Sequence, residues 1–85
     1  MSDQEMNLQV SDQVKEILES RGIRDEDVEA VIQNAEEKGE KLYRDDRYLA
    51  KLRIGETTFY VEYSTVGQQT YLIHTSYSHS AKIEE

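Results

Sequence analysis

An alternation of apolar and polar residues over residues 47–77 limits what this chain can fold into. The segment reads RYLAKLRIGETTFYVEYSTVGQQTYLIHTSY, and it holds five of the chain's six tyrosines and its one phenylalanine. A two-residue repeat places successive side chains on opposite faces of a strand, and turn-forming residues separate the three apolar runs. We therefore predict an antiparallel meander with strands at about 47–54, 57–64 and 70–77.

The first hairpin of this meander has a predicted register. Gly55-Glu56 is a two-residue turn with glycine first, as a type II′ turn prefers, and it sets Ile54 opposite Thr57. The pairs that follow are Leu52 with Phe59, Ala50 with Val61 and Tyr48 with Tyr63. All of these residues are apolar or aromatic, so the turn chemistry and the hydrophobic pattern agree on one register.

The facing of the third strand depends on the loop within residues 64–70, which can close with an odd or an even number of residues. The odd-numbered residues of the strand are the more apolar set, so we predict that they face the core. This set comprises Tyr71, Ile73, Thr75 and Tyr77. His74 then lies on the opposite face of the sheet, beside Tyr60. If the loop closes with the other kind of count, Leu72 and His74 face the core instead.

Two amphipathic helices are predicted before the meander, at about residues 11–21 and 25–38. In each, apolar residues recur at the spacing of one helical face. Ser11 can cap the start of the first helix, and Gly22 with Ile23 can close it as a Schellman motif. The second helix begins in a cluster of acidic residues, which the helix dipole favours.

The stretch between the second helix and the meander is a possible further strand. Gly39 ends the helix, and residues 41–44 can form a short strand that turns at Asp45-Asp46. Residues 1–9 and 79–85 are expected to be poorly ordered. The predicted fold is α+β, one domain of residues 1–85, with two N-terminal amphipathic helices packed on a three- or four-stranded antiparallel β-meander.

The composition excludes several kinds of site. The chain has no cysteine, which excludes disulfides, thiolate metal sites and cysteine nucleophiles. The net charge of −8 is carried by residues 1–40, whereas residues 41–85 are balanced. A field of this sign repels nucleic-acid backbones and anionic lipids. No apolar run reaches the roughly 20 residues of a membrane helix, and the N-terminus does not have the pattern of a signal peptide, so we expect a cytoplasmic protein.

The face of the meander opposite the core is the best candidate site. The predicted register and facing place five residues of interest there: Lys51, Arg53, Tyr60, Glu62 and His74. Binding hot spots are enriched in tyrosine and arginine, so we predict that another protein binds this face. The alternative is a solvated β-face, on which long polar side chains cover apolar surface.

The sequence offers little for catalysis or metal binding. No glycine-rich phosphate loop, nucleophile elbow or HExxH motif occurs, so neither a catalytic residue nor a cofactor is predicted. His74 and His79 are five residues apart, and an odd separation along a strand directs side chains to opposite faces. These histidines would need a bulge or a chain reversal to share a metal ion, and no metal site is predicted.

Residues 39–79 resemble known proteins. The stretch reads GEKLYRDDRYLAKLRIGETTFYVEY and is followed by HTSYSH. It resembles a set of short bacterial proteins of uncharacterised function, which are loosely associated with iron–sulfur oxidoreductases of the glutamate-synthase kind. The resemblance implies an accessory or regulatory role.

The order of two helices followed by a meander also resembles that of RelE-like ribonuclease toxins, whose active residues lie on the open sheet face. The matching residues would be Arg53, Tyr60 and His74. The chain differs from these toxins in its acidity and in its lack of clustered basic residues. The leading hypothesis is a small non-catalytic protein-interaction or accessory module of the bacterial cytoplasm. The alternatives are a ribonuclease of this kind and a small-ligand or metal-dependent regulator.

Overall fold

Two helices and five strands make up the described part of the chain, residues 6–80 of a computed structural model. The elements are β1 (Asn7–Val10), α1 (Asp12–Ser20), α2 (Asp25–Lys38), β2 (Lys41–Arg44), β3 (Arg47–Ile54), β4 (Thr57–Gly67) and β5 (Thr70–Ser80). The strands form one sheet in the order β1-β5-β4-β3-β2. β1 runs parallel to β5 and the other neighbours are antiparallel, so the fold is α+β with a mixed sheet.

The predicted architecture of two N-terminal helices on an antiparallel sheet of three or four strands is wrong. A strand precedes the helices, the sheet has five strands, and one pair is parallel. β1 lies in the stretch that was expected to be poorly ordered, of which residues 1–5 lie outside the described part. Its Leu8 and Val10 pack against the core, and the Asn7 N–H donates to the Gln69 carbonyl at 2.9 Å. Burial and backbone bonds to a distant strand therefore order this segment.

Both helices begin and end with the predicted chemistry. Ser11 caps α1, because its hydroxyl accepts from the Val14 N–H at 3.2 Å. At the other end of α1, Gly22 has a φ of 72°, and the Ile23 N–H reaches back to the Leu18 carbonyl at 2.9 Å. This is the Schellman motif that the sequence predicts. α2 has the predicted bounds and ends at Gly39, which is also left-handed.

Two tight hairpins build the β2–β3–β4 part of the sheet. Asp45 and Asp46 both have positive φ, as a type I′ turn requires, and they make residues 41–44 an edge strand. The predicted register of the next hairpin is confirmed from Ile54↔Thr57 to Tyr48↔Tyr63.

The predicted facing of β5 is confirmed up to His74, which lies on the face opposite the core, and is wrong from Thr75 onward. β4 and β5 pair up to a turn at Gln68-Gln69, and Tyr71 and Ile73 are buried as expected. A register shift between Glu62 and Tyr63 then leaves His74 as an extra residue in β5, which is a β-bulge. Because side chains alternate along a strand, this insertion reverses the faces of the residues that follow. Ser76 enters the core, while Thr75 and Tyr77 lie on the other face. β5 also continues through His79 and Ser80, which were expected to be poorly ordered; residues 81–85 lie outside the described part.

The core lies between the helices and one face of the sheet. α2 packs on β3 and β4, and α1 packs on β5. The buried apolar residues are Leu18, Ile23, Val28, Val31, Ile32, Ala35, Ala50, Val61, Tyr63, Tyr71 and Ile73. Both helices lie on the same side, so no described element covers the opposite face of the sheet.

A polar cluster joins α2 to β2 and β4 at the margin of this core. The buried Tyr63 hydroxyl donates to a Glu36 oxygen at 2.8 Å, and Lys41 Nζ donates to the same oxygen at 2.6 Å. Burial and the Glu36 carboxylate raise the pKa of Tyr63. Burial alone would raise the pKa of Glu36, but the bonds from Lys41 and Tyr63 outweigh it and lower that pKa. The cluster therefore stabilises an ionised Glu36 against a neutral tyrosine.

Replacing Tyr63 with phenylalanine tests this cluster. A hydrogen bond to a charged group contributes about 1.5–3 kcal/mol, so the free energy of unfolding of Tyr63→Phe should fall by about that amount. Urea denaturation measures it. Tyr43→Phe is the matched control, because its hydroxyl donates to Asp46 on an exposed part of β2 and its loss should change stability much less. Equal losses for the two variants would contradict the assignment.

Candidate functional site

The face of the sheet opposite the helices carries all five residues that the sequence predicts for a site. We call it the open face. Its side chains from the three central strands include Arg47, Leu49, Lys51, Arg53, Thr58, Tyr60, Glu62, Ser64, Leu72, His74, Thr75, Tyr77 and His79. The predicted residues do not form one cluster: Lys51 lies directly opposite Tyr60, whereas His74 lies next to Ser64.

Two stacked tyrosines occupy the middle of the open face. Tyr60 of β4 and Tyr77 of β5 are cross-strand partners, with ring centroids 4.8 Å apart and planes inclined by 15°. Such a pair contributes about 0.5–1.5 kcal/mol beyond its buried area. Tyr77 remains 37% exposed. Tyr77 was predicted in the core, and the bulge at His74 reverses that facing. His74 lies on the predicted face, but beside Ser64 and not beside Tyr60.

Cations flank the tyrosine pair on the β3 side. Lys51 is exposed and lies opposite Tyr60, and Arg53 lies one row further along, opposite Thr58. The Arg53 side chain donates from Nε to the Gly55 carbonyl at 3.0 Å. β3 carries three cations and no acid, in contrast to the helices, which together carry nine acidic and two basic residues. The open face is therefore locally basic on an acidic protein.

His74 belongs to a separate hydrogen-bonded cluster. Its Nε2 lies 2.8 Å from Ser64 Oγ, and that hydroxyl donates to the Asp46 carbonyl at 3.0 Å. A hydroxyl has only one hydrogen, so Ser64 must accept from His74, and the imidazole carries its proton on Nε2. This direction of donation is opposite to the one that activates a serine nucleophile, in which the histidine accepts the serine proton.

An ion pair completes the surroundings of His74. Arg47 Nη1 lies 3.0 Å from Glu62 Oε1 on the neighbouring strands. Burial lowers the pKa of His74, and the nearby Arg47 charge lowers it further, while Glu62 acts in the opposite sense. The packing of the imidazole and the nearby cation both disfavour its charged form.

The residues matched to a ribonuclease site do not converge. We call a set of residues that lie side by side across neighbouring strands a row. Arg53 lies in the row of Thr58, and His74 lies in the row of Glu62, which is four residues further along β4. At about 3.4 Å per residue the two rows are about 14 Å apart. Arg53 and His74 therefore do not contact one reacting group in this arrangement.

The same separation applies to the two histidines. The bulge brings His74 and His79 to one face, contrary to the predicted alternation, but His79 also lies in the row of Thr58. A distance of about 14 Å is too long for two ligands of one metal ion. Within residues 6–80, no group of three or more histidine, aspartate or glutamate side chains is arranged to hold a metal ion.

Comparison with known proteins gives no relative for this chain: no family model, curated protein or solved structure matches it. Neither helix in residues 6–80 has the length and apolar character needed to span a membrane.

The titration of His74 tests the geometry of its cluster. We expect its NMR titration midpoint to lie below the ordinary value of about 6.5, because the folded state disfavours the charged imidazole. The folded protein then binds a proton less readily than the unfolded chain. The contribution of His74 to stability is therefore complete above about pH 6.5 and is lost as the pH falls below it.

Arg47→Gln should raise this midpoint, because the substitution removes the repelling cation and frees Glu62. Arg53→Gln is the matched control and should leave the midpoint unchanged, since Arg53 lies about 14 Å away along the strand direction. A His74 midpoint at or above 6.5 in the unsubstituted protein would contradict the arrangement.

Proposed function

We propose that this chain is a small non-catalytic protein-binding module, or accessory subunit, and that its partner docks on the open face. The observation that carries the proposal is the Tyr60–Tyr77 pair, which lies on a sheet face that no described element covers. Tyrosine and arginine are enriched in protein interfaces and among their binding hot spots. We include the bacterial cytoplasm in the proposal because residues 39–79 resemble short bacterial proteins.

The apolar groups around the pair support a protein partner. Leu42 of β2 lies opposite Leu49 on the open face and is 68% exposed. Together with Leu49 and Tyr60, it extends the apolar surface from the centre of the sheet toward the β2 edge. Burial of such surface drives most protein association.

The geometry of the tyrosine pair favours protein over nucleic acid. Proteins that bind single strands stack bases on the flat faces of aromatic rings. Here each ring covers one face of the other, so those two faces are already occupied. The net charge of −8 also disfavours binding of a nucleic acid, because it repels a long phosphate backbone.

The hydrogen bonds of Ser64, His74 and Arg53 support a non-catalytic role. Ser64 donates its proton to a backbone carbonyl, His74 donates to Ser64, and Arg53 lies in a row remote from both. These side chains are engaged with one another or with the backbone, and a general base must instead be free to accept a proton from a reacting group.

The double variant Tyr60→Ala/Tyr77→Ala tests the proposal. The tagged protein should recover a defined partner from a lysate of its source, and the purified partner should bind the variant at least about tenfold more weakly in calorimetry. This loss is of the size found for interface hot spots.

Tyr43→Ala is the matched control, because Tyr43 is an exposed tyrosine of the same sheet on the opposite face. It should bind the partner as the unsubstituted protein does. Equal binding by the double variant, with its fold intact by circular dichroism, would contradict docking on the open face. Cleavage of RNA that is abolished in His74→Ala would contradict the non-catalytic role.

A further inference from the structure

We propose that the partner contributes an acidic extended segment, which adds as a strand to the free edge of β3 over Lys51–Ile54. This inference rests on the proposed function and deepens it by naming the chemistry and the conformation of the partner. Three observations carry it: an unpaired strand edge, a groove beside that edge, and a local excess of cations.

The edge exists because β2 is only half as long as β3. β2 pairs with β3 from Arg47 to Ala50, and the four residues that follow have no strand on that side within the described part of the chain. The tight turn at Gly55-Glu56 makes Ile54 and Thr57 a hydrogen-bonded pair, and bonded pairs alternate along an antiparallel ladder. The N–H and C=O of Arg53 therefore point away from β4, toward the position of an added strand.

The other side of the sheet shows how such an edge is covered from within the chain. β5 likewise extends beyond its partner β1, which pairs only with Thr70–Ile73. There Arg21, at the end of α1, donates to the outward Ser76 carbonyl at 2.7 Å. Over Lys51–Ile54, no described side chain outside β3 donates to the backbone edge. The β3 edge is thus the better template for a second chain.

A groove of about 980 Å³ runs beside this edge. The last turn of α2 and the Gly39-Glu40 connection form one wall, with Asn34 and Lys38. Leu49, Lys51 and Tyr60 of the open face line the other side. The groove therefore continues from the β3 edge onto the open face, so one extended segment can reach both.

The charges of the groove select an acidic occupant. Lys38, Lys51 and Arg53 line it, and Glu40 is the acidic residue among its lining side chains. Lys41 also lines the groove, but its ammonium group is paired with Glu36. The neighbours of an added strand would alternate between Lys51 and Arg53 on the open face and Leu52 on the core side. Cross-strand pairing then favours acidic residues alternating with apolar ones.

The test uses a six-residue peptide with this alternation, acetyl-EVEVEV-amide, titrated into the full chain at low salt. The amide signals of residues 51–54 should shift, and hydrogen exchange at the Arg53 amide should slow at least about tenfold if that group enters a ladder. Peptides with the sequences EEEVVV and KVKVKV are the controls for alternation and for charge, and both should bind at least about tenfold more weakly.

Two substitutions at one position separate strand addition from simple charge attraction. Arg53→Ala removes the charge and keeps the outward N–H, whereas Arg53→Pro removes both. Proline is tolerated where the N–H faces away from the sheet, so the pairing with β4 should survive. Arg53→Pro should bind EVEVEV at least about tenfold more weakly than Arg53→Ala. If Arg53→Pro does not fold, hydrogen exchange at Arg53 in the unsubstituted protein decides the question.

The outcomes distinguish this inference from the proposed function. If EVEVEV does not shift residues 51–54, or binds no better than EEEVVV, strand addition is wrong. The proposal of docking on the open face would still stand if Tyr60→Ala/Tyr77→Ala no longer binds the recovered partner.

A pair of charge substitutions tests whether the attraction is local. Lys51→Glu should weaken EVEVEV binding and Lys15→Glu on α1 should not. Equal effects of the two substitutions would mean that only the net charge of the protein attracts or repels the peptide. Binding of a ten-nucleotide single-stranded RNA to the open face, without peptide binding, would overturn the acidic-segment assignment.

Discussion

One extra residue in β5 determines how both faces of this sheet are built. The bulge at His74 reverses the alternation of β5, so Ser76 enters the core and Tyr77 joins Tyr60 on the open face. Ser76 then satisfies its hydroxyl by donating to the Tyr60 carbonyl at 2.6 Å, and its own carbonyl accepts from Arg21. Without the bulge, Tyr77 would point into the core in place of a serine. The same local irregularity thus shapes the packing against α1 and creates the aromatic centre of the candidate site.

The features that could be predicted from the sequence depend on neighbouring residues. The Ser11 cap, the Schellman motif at Gly22 and Ile23, and the Gly55-Glu56 turn each follow from backbone chemistry within a few positions. The register of β3 and β4 follows as well, because a two-residue turn leaves the strands one alignment that also matches the apolar pattern. Lys51, Arg53, Tyr60 and Glu62 could be assigned to the open face for this reason.

The features that could not be predicted depend on distant contacts. β1 has only four residues, and its partner β5 lies more than sixty positions away, so its two apolar residues gave no periodic signal of their own. The bulge is equally invisible locally, because it is set by how His74 and Thr75 pair with β4 and not by a turn residue in β5. The facing of Tyr71 and Ile73 was predictable from their apolar character. Tyr77 was not, because an amphipathic aromatic residue suits either face.

The distribution of charge over the two sides of the sheet bears most directly on the partner. The whole-chain value of −8 predicts repulsion of anionic molecules, yet most of that charge lies on α1 and α2. The shortest extent of the molecule is 29 Å, whereas the Debye length at physiological salt is about 8 Å. A segment beside β3 therefore experiences Lys51 and Arg53 at close range, while the acids on the outer side of the helices are largely screened. Net charge and local charge have opposite signs here, and at short range the local charge favours the acidic partner that we propose.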